Sequence, residues 1–189
     1  MSWNWSKAAA ASKEVRSGIT EIQLAYIMGI LCDAGLDTTG QFLEIFVMAA
    51  VSHPDAVARA HEELDHVVGR DRLPNADDKP RLPFIDAMIE ETMRWRPLTM
   101  AGVPHSNIDE DTYEGYRIPK GSVVIPATWT LCMSEVTYGS DSAEFRPERW
   151  PENPKLPNTL FGFGRRACTG ERVARKSLFH AGLPPAVGV

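Results

Sequence analysis

The run from Ile19 to Val51 holds few helix breakers and is apolar on nearly every side. That pattern predicts one long helix whose whole surface wants cover. Such a rod is longer than a small domain normally needs; it commits the chain to a largely helical fold in which the rod is expected to be buried. Ser52-His53-Pro54 interrupts it, and Pro54 suits the first turn of a second helix. This helix carries Val57, Leu64, Val67 and Val68 on one side and ends near Gly69. A polar loop from Arg70 to Arg81 follows, with prolines at 74 and 80. A third helix is predicted from about Pro83 to Trp95, with Ile85, Met88, Ile89 and Thr92 inward, stopped by Pro97.

After Pro97 the character changes. Tyr113 to Ile118 and Ser122 to Ile125 read as short strands around the turn Pro119-Lys-Gly121. Residues 133–160 are rich in Pro, Gly, Ser and Asn and are expected to be mostly irregular. A glycine-rich loop, Phe161–Gly170, leads into a last helix from about Glu171 to His180. The expected class is therefore mainly α with a small β region, α+β. An irregular segment 1–18, one domain over 19–180 and an atypical tail 181–189 complete the expected organisation.

Composition narrows the function classes. The chain has 189 residues, net charge −5, 43% hydrophobic and 24% charged residues. These are globular values, compatible with one core and without the basic excess that a nucleic-acid partner would call for. Its three cysteines, Cys32, Cys132 and Cys168, are widely spaced and form no CxxC pair. Neither a disulfide framework nor a zinc site is suggested, and a reducing, intracellular setting is expected. The most apolar segment, Ile22–Cys32, falls short of the roughly 20 residues that cross a bilayer. The chain as given reads as soluble, with no anchor.

The chemistry concentrates at Phe161-Gly-Phe-Gly-Arg-Arg-Ala-Cys-Thr-Gly170. Its glycines allow sharp turns or close approach to something flat. A following helix start and two preceding arginines favour negative charge on the Cys168 sulfur. A nucleophile, a redox thiol and a metal ligand all remain open on those grounds. A phosphatase loop would want an arginine six positions on, where Ala174 stands. Gly162-x-Gly164-x-x-Ala167 matches a dinucleotide fingerprint formally, but no strand precedes it and no acid follows about 20 residues later. A thiol peroxidase would need a resolving partner, for which Cys132 is the candidate. A thiolate holding a haem iron fits best: glycines let the macrocycle lie on the backbone, arginines meet its propionates, and Phe161 and Phe163 pack on it.

This decapeptide resembles the F-x-x-G-x-R-x-C-x-G signature of the cytochrome P-450 (haem-thiolate monooxygenase) family, in its fungal microsomal style. Three further motifs stand in that family's order: Ala34-Gly-Leu-Asp-Thr38, Glu91-Thr-Met-Arg94 and Pro147-Glu-Arg-Trp150. The resemblance implies the C-terminal half of that fold, a long central helix plus a haem-binding Cys loop, with haem b held by the Cys168 thiolate. It implies contacts to the haem from Phe161, Gly164, Gly170 and Gly35, and a propionate pair of Arg166 and His105. It assigns proton delivery on the oxygen-binding side to Thr38 and Asp37. The hydroxyl of Thr38 could also bond the carbonyl of Ala34 and open the helix locally. Glu91, Arg94 and Arg149 are expected to lock the coil that carries Cys168.

The activity so implied is insertion of one atom of O2 into a small apolar organic substrate, with the other reduced to water. Electrons would come from an NADPH-dependent reductase, docking on Arg165, Arg166, Arg172, Arg175 and Lys176. Tyr26–Leu31 and Leu98–Val103 would face the substrate. Chains of that family are more than twice as long, so the sequence is expected to be a fragment, with the parent protein in the endoplasmic reticulum membrane. A non-catalytic product that binds haem weakly or not at all is the alternative.

Overall fold

The computed structural model describes residues 18–182, which divide between Asp37 and Thr38 into two units. The segment 1–17 and the tail from 183 on lie outside the described residues. Helix α1 (Glu21–Ser52) begins at a reciprocal cap: the Thr20 N–H donates to Gln23 Oε1 at 2.8 Å, and the Gln23 N–H donates to Thr20 Oγ1 at 3.3 Å. Helical assignment is continuous through Ala34–Thr39, with no break at Gly35.

The expectation that this rod is buried is overturned. Of its residues only Phe42 and Ala49 are buried, while Ile22, Tyr26, Ile30, Leu36, Val47 and Val51 are exposed. An apolar pattern records what a helix would bury; cover has to come from other elements that pack on it.

Around α3 the cover is complete. Helix α2 (Pro54–Val67) and α3 (Pro83–Trp95) each start with proline at the first turn, as their sequences require. The orphan amides at the start of α3 are satisfied from α2: the Glu63 carboxylate accepts the N–H of Phe84 at 2.9 Å and of Ile85 at 3.0 Å. Ile85, Met88, Ile89 and Thr92 are buried as predicted, and so are Phe84, Ala87, Glu91, Met93, Arg94 and Trp95. Phe84, Ile85, Met88, Ile89 and Met93 pack with Phe42, Leu64, Leu82, Leu178 and Phe179 into the main core, and Trp95 packs with Ala49 and Phe145 in a second cluster. Before α3, a 3-10 turn at Ala76–Arg81 is capped by Asn75, and its Asp78 carboxylate receives Arg72 and Arg81.

The β region is two small antiparallel pairs. Strand β2 (Asp111–Tyr113) turns through Glu114 and Gly115, with φ of +48° and +83°, into β3 (Tyr116–Ile118). Left-handed values at both turn residues suit the twist of a tight hairpin. Strand β1 (His105–Ser106) pairs with β4 (Val123–Val124), His105 lying opposite Val124.

The stretch from 133 to 160 is irregular except for short helices, α5 (Glu135–Tyr138) and α6 (Arg149–Glu152), which follow α4 (Thr128–Cys132). The Cys168 loop carries a 3-10 turn at Gly164–Arg166, and α7 (Glu171–Gly182) closes the described chain. Ala181 and Gly182 thus belong to α7, and Gly182 is buried.

Candidate functional site

The centre of the irregular stretch is one carboxylate. Glu91, fully buried, accepts five hydrogen bonds: from Arg94 Nη2 (2.7 Å), the Arg146 N–H (2.9 Å) and Arg149 Nε (3.0 Å) at Oε1, and from Arg94 Nε (2.9 Å) and Trp150 Nε1 (3.0 Å) at Oε2. The two guanidinium groups are 2% exposed and spend their remaining donors on backbone carbonyls, with Arg149 Nη1 also 3.3 Å from the Asp141 carboxylate. Arg94 reaches those of Cys132, Ser142 and Glu144, and Arg149 those of Tyr138, Asp141 and Glu144. Side chains therefore do here what a sheet or helix ladder does elsewhere, satisfying the carbonyls of a coil. The coil so fixed runs from Cys132 to Trp150 and stops short of Cys168.

Cys168 sits in a tighter construction. Its N–H donates to the Phe161 carbonyl at 2.7 Å, closing the loop, and its carbonyl accepts the Glu171 N–H at 3.4 Å as α7 begins. Gly162 and Gly164 have φ of +72° and +59°, the left-handed region that favours glycine. A Cβ on Gly164 would meet nothing within 4 Å, so the backbone there is open; on Gly170 it would stand 3.7 Å from Cys168 Sγ. Cys168 is exposed and unpaired by disulfide. It lines a cleft of about 120 Å³ with Phe161, Leu160, Ala174 and Leu178 on its own side. Thr38, Thr39, Phe42, Met93, Leu98 and Thr99 form the rest of the wall. The long helix thus contributes Thr38, the residue picked from its motif, to the same cleft as the sulfur.

A soft sulfur, open glycine backbone beside it and an apolar wall are what a thiolate-ligated haem asks of its protein. The residues present fit that group, and Cys168 is the cleft residue that would donate to iron.

The other sequence-derived candidates fall into place unevenly. Phe161 is brought to the cleft; Gly164 and Arg166 form the loop's 3-10 turn, with Arg166 exposed. His105 lies exposed in β1 and is not among the cleft-lining residues. Gly35 and Asp37 are exposed on the first unit's part of α1, and a Cβ on Gly35 would meet nothing within 4 Å. Of Leu98–Val103, Leu98 and Thr99 reach the cleft. Cys132 is buried, its thiol pushed up by burial, with its sulfur 3.6 Å from Thr159 Oγ1.

Arg175 corrects one expectation. Its basic neighbours Arg165, Arg166, Arg172 and Lys176 are exposed. Arg175 instead pairs with Glu90 and, at 2.8 Å, with Glu171, and its guanidinium carbon stands 5.0 Å from the Phe161 ring centroid. It is spent inside the fold, because Glu90 of α3 and Glu171 one helical turn back both come within ion-pair reach of it. Sequence reading missed Glu90, which the adjacent Glu91 motif overshadows, and Glu63, whose capping partner is about 20 residues away. Met93 and Leu160, which also line the cleft, were not singled out from the sequence.

The chain matches the sequence model of a family described as Cytochrome P450 over residues 6–181. It is 51% identical over 177 residues to "Cytochrome P450 monooxygenase aneD" of Aspergillus aculeatus, covering 93% of this chain and 34% of that protein. It is 42% identical to "Fumitremorgin C synthase" of Neosartorya fischeri, covering 94% of this chain and 35% of the other. Among solved structures it is similar to a zebra fish cytochrome P450 with progesterone, at a TM-score of 0.80 and 33% identity, over 86% of this chain and 38% of that one. The chain spans about a third of the length of the curated relatives it matches.

Proposed function

Since the chain belongs to the cytochrome P450 family, we propose that it supplies the haem-ligating portion of a monooxygenase. The reaction inserts one atom of O2 into a small apolar organic substrate and reduces the other to water, with electrons from an NADPH-dependent reductase. The observation that carries this reading is the shared cleft of Cys168 and Thr38. When bound there, haem supplies the activation of O2.

The chain's own residues divide the remaining work. Cys168 Sγ, as thiolate, would hold the iron, while the open backbone at Gly164 would let a flat group approach and Gly170 leaves room beside the sulfur. Arg166 and, from β1, His105 meet the propionates. Phe42, Leu98, Leu160 and Leu178 line the cleft and offer apolar surface to the substrate. Forming water from one oxygen atom takes two protons, and Thr38 Oγ1 holds a proton in position, resupplied by the Asp37 carboxyl next to it in sequence. Arg165, Arg166, Arg172 and Lys176 offer a cationic docking face to an acidic electron donor. The parent protein is placed at the endoplasmic reticulum membrane, although no helix among the described residues is long and apolar enough to cross a membrane.

A second reading, a non-catalytic chain with weak or no haem binding, is favoured by one observation. The cleft of about 120 Å³ is smaller than the roughly 300–1,000 Å³ usual for an enclosing ligand site. Haem titration separates the two. Stoichiometric uptake with a ferrous–CO band of the thiolate type, lost in Cys168→Ala, is the expected result. No saturable uptake, or a spectrum unchanged by Cys168→Ala, overturns the proposal.

A further inference from the structure

The Glu91 network ends at Trp150, leaving open what holds the Cys168 loop itself. The next residue back on α3, Glu90, faces a different side of the helix, since successive helical residues diverge by about 100°. Its carboxylate accepts Asn158 Nδ2 and pairs with Arg175 Nη1. Asn158 precedes the loop and Arg175 follows it.

Each of these two contacts leads within one or two bonds to the Phe161–Cys168 closure of the loop. On the upstream limb, Asn158 Oδ1 accepts the Leu160 N–H at 3.2 Å, one residue before Phe161. On the downstream limb, Arg175 lies against the Phe161 ring at 5.0 Å and bonds Glu171, whose N–H reaches the Cys168 carbonyl. Phe161 in turn receives the Cys168 N–H at 2.7 Å. The upstream limb has two other ties, Tyr138 Oη to the Pro157 carbonyl at 2.9 Å and Cys132 to Thr159. Glu90 is the carboxylate that grips both limbs at once.

We propose that Glu90 is a positioning residue that staples both limbs of the Cys168 loop to α3, and thereby fixes where the sulfur faces the cleft. Its consequence for iron ligation rests on the function proposed above; the stapling itself does not. Burial pushes the Glu90 carboxyl above its ordinary 4.5 despite the opposing pull of Arg175 and Asn158. A charge held against its own desolvation adds little net stability. What it provides is geometry, a fixed distance between two chain segments that flank a glycine-rich loop.

Amide hydrogen exchange on the haem-free 189-residue chain tests this in Glu90→Ala, Glu90→Gln and Arg175→Met. Exchange across residues 159–170, the Cys168 amide foremost, is expected to quicken about tenfold or more in Glu90→Ala, the size of one lost charge-assisted hydrogen bond. The urea midpoint should fall by no more than one such bond is worth, with an unchanged slope, and the α3 amides that exchange by local opening should stay unchanged. Glu90→Gln, which keeps an acceptor for Asn158 but drops the charge facing Arg175, should fall between. Arg175→Met, which keeps Glu90 and Asn158, serves if Glu90→Ala does not fold, and should loosen the same amides. Unchanged loop exchange, or an equal rise in α3 and α7, overturns the proposal. After haem loading, a ferrous–CO band displaced or weakened in Glu90→Ala at equal haem content is expected; an unmoved band refutes the link to the sulfur. Failure of the unsubstituted chain to take up haem would count against the proposed function and leave the exchange result standing.

Discussion

Substituting Glu91 by glutamine keeps its shape and removes its charge. With the amide oxygen at the Oε1 position, the three donors there, from Arg94 Nη2, Arg146 and Arg149, retain an acceptor. The amide NH2 then stands where Oε2 was, against Arg94 Nε and Trp150 Nε1, both of which are donors. Two donors lose their partner; the Arg94 guanidinium, 2% exposed, loses its paired anion, and Arg149, equally buried, keeps only Asp141 at 3.3 Å. The reverse orientation leaves three donors unmatched and is worse. Uncompensating a buried ion pair in this way costs about 3–5 kcal/mol, a large share of the roughly 5–15 kcal/mol that holds a domain. At about 2–4 °C per kcal/mol for a chain of this size, Glu91→Gln should lower the melting temperature by roughly 6–20 °C. Urea unfolding followed by far-UV circular dichroism should show the midpoint falling with an unchanged slope. A variant unfolding within about 1 kcal/mol of the parent would refute the reasoning, because a surface-like pair contributes no more than that.

Gly102 has φ of +54°, and a Cβ there would meet Pro126 Cβ and Cγ at 2.9 Å. Gly102→Ala should destabilise by about 1–3 kcal/mol and be read as a lower urea midpoint. Hydrogen bonds from Arg72 foremost, then from the Asn75 N–H, with the Arg72 and Arg81 charges, hold the Asp78 carboxyl well below its ordinary 3.8. With the folded value depressed, the unfolded chain binds more protons, so the stabilisation is complete above about pH 4 and fades as pH falls below it. Asp78→Asn should therefore flatten the acid side of a melting-temperature profile, and a profile that remains as steep would count against the assignment. In a full-length protein bearing these residues, Thr38→Ala should lower product formed per NADPH consumed by about tenfold or more, measured by product analysis against cofactor oxidation. Charge reversal at Arg165, Arg172 and Lys176 should slow reduction by the electron donor and weaken its dependence on salt, followed by stopped-flow absorbance.

The local vocabulary of this protein was readable from its residues. Pro54, Pro83 and Pro97 bracket α2 and α3 because proline can begin a helix but not continue one. The inward set of Ile85, Met88, Ile89 and Thr92 follows from helical period. The Cys168 decapeptide was legible as a site because glycine, arginine and cysteine at that spacing serve few other chemistries. The strand pair of His105 with Val124 was not legible, since two-residue strands carry no period and their partner lies nearly 20 residues on. Nor was the exposure of α1, where hydrophobicity records appetite for a partner and says nothing of supply.

What the residues determined alone was therefore everything set by neighbours within a helical turn or a loop: where α1, α2 and α3 start and stop, and that Glu91 and Arg94 share a face. What the tertiary structure decided was which charges are spent and which are free. Arg175 and Arg172 are alike in sequence, yet one is consumed by Glu90 and Phe161 while the other faces solvent. That difference depends on residues 85 and 14 positions away coming within hydrogen-bond or ring-contact distance. Coulombic and hydrogen-bond energies act across space without regard to chain separation, so only the folded arrangement could assign those partners.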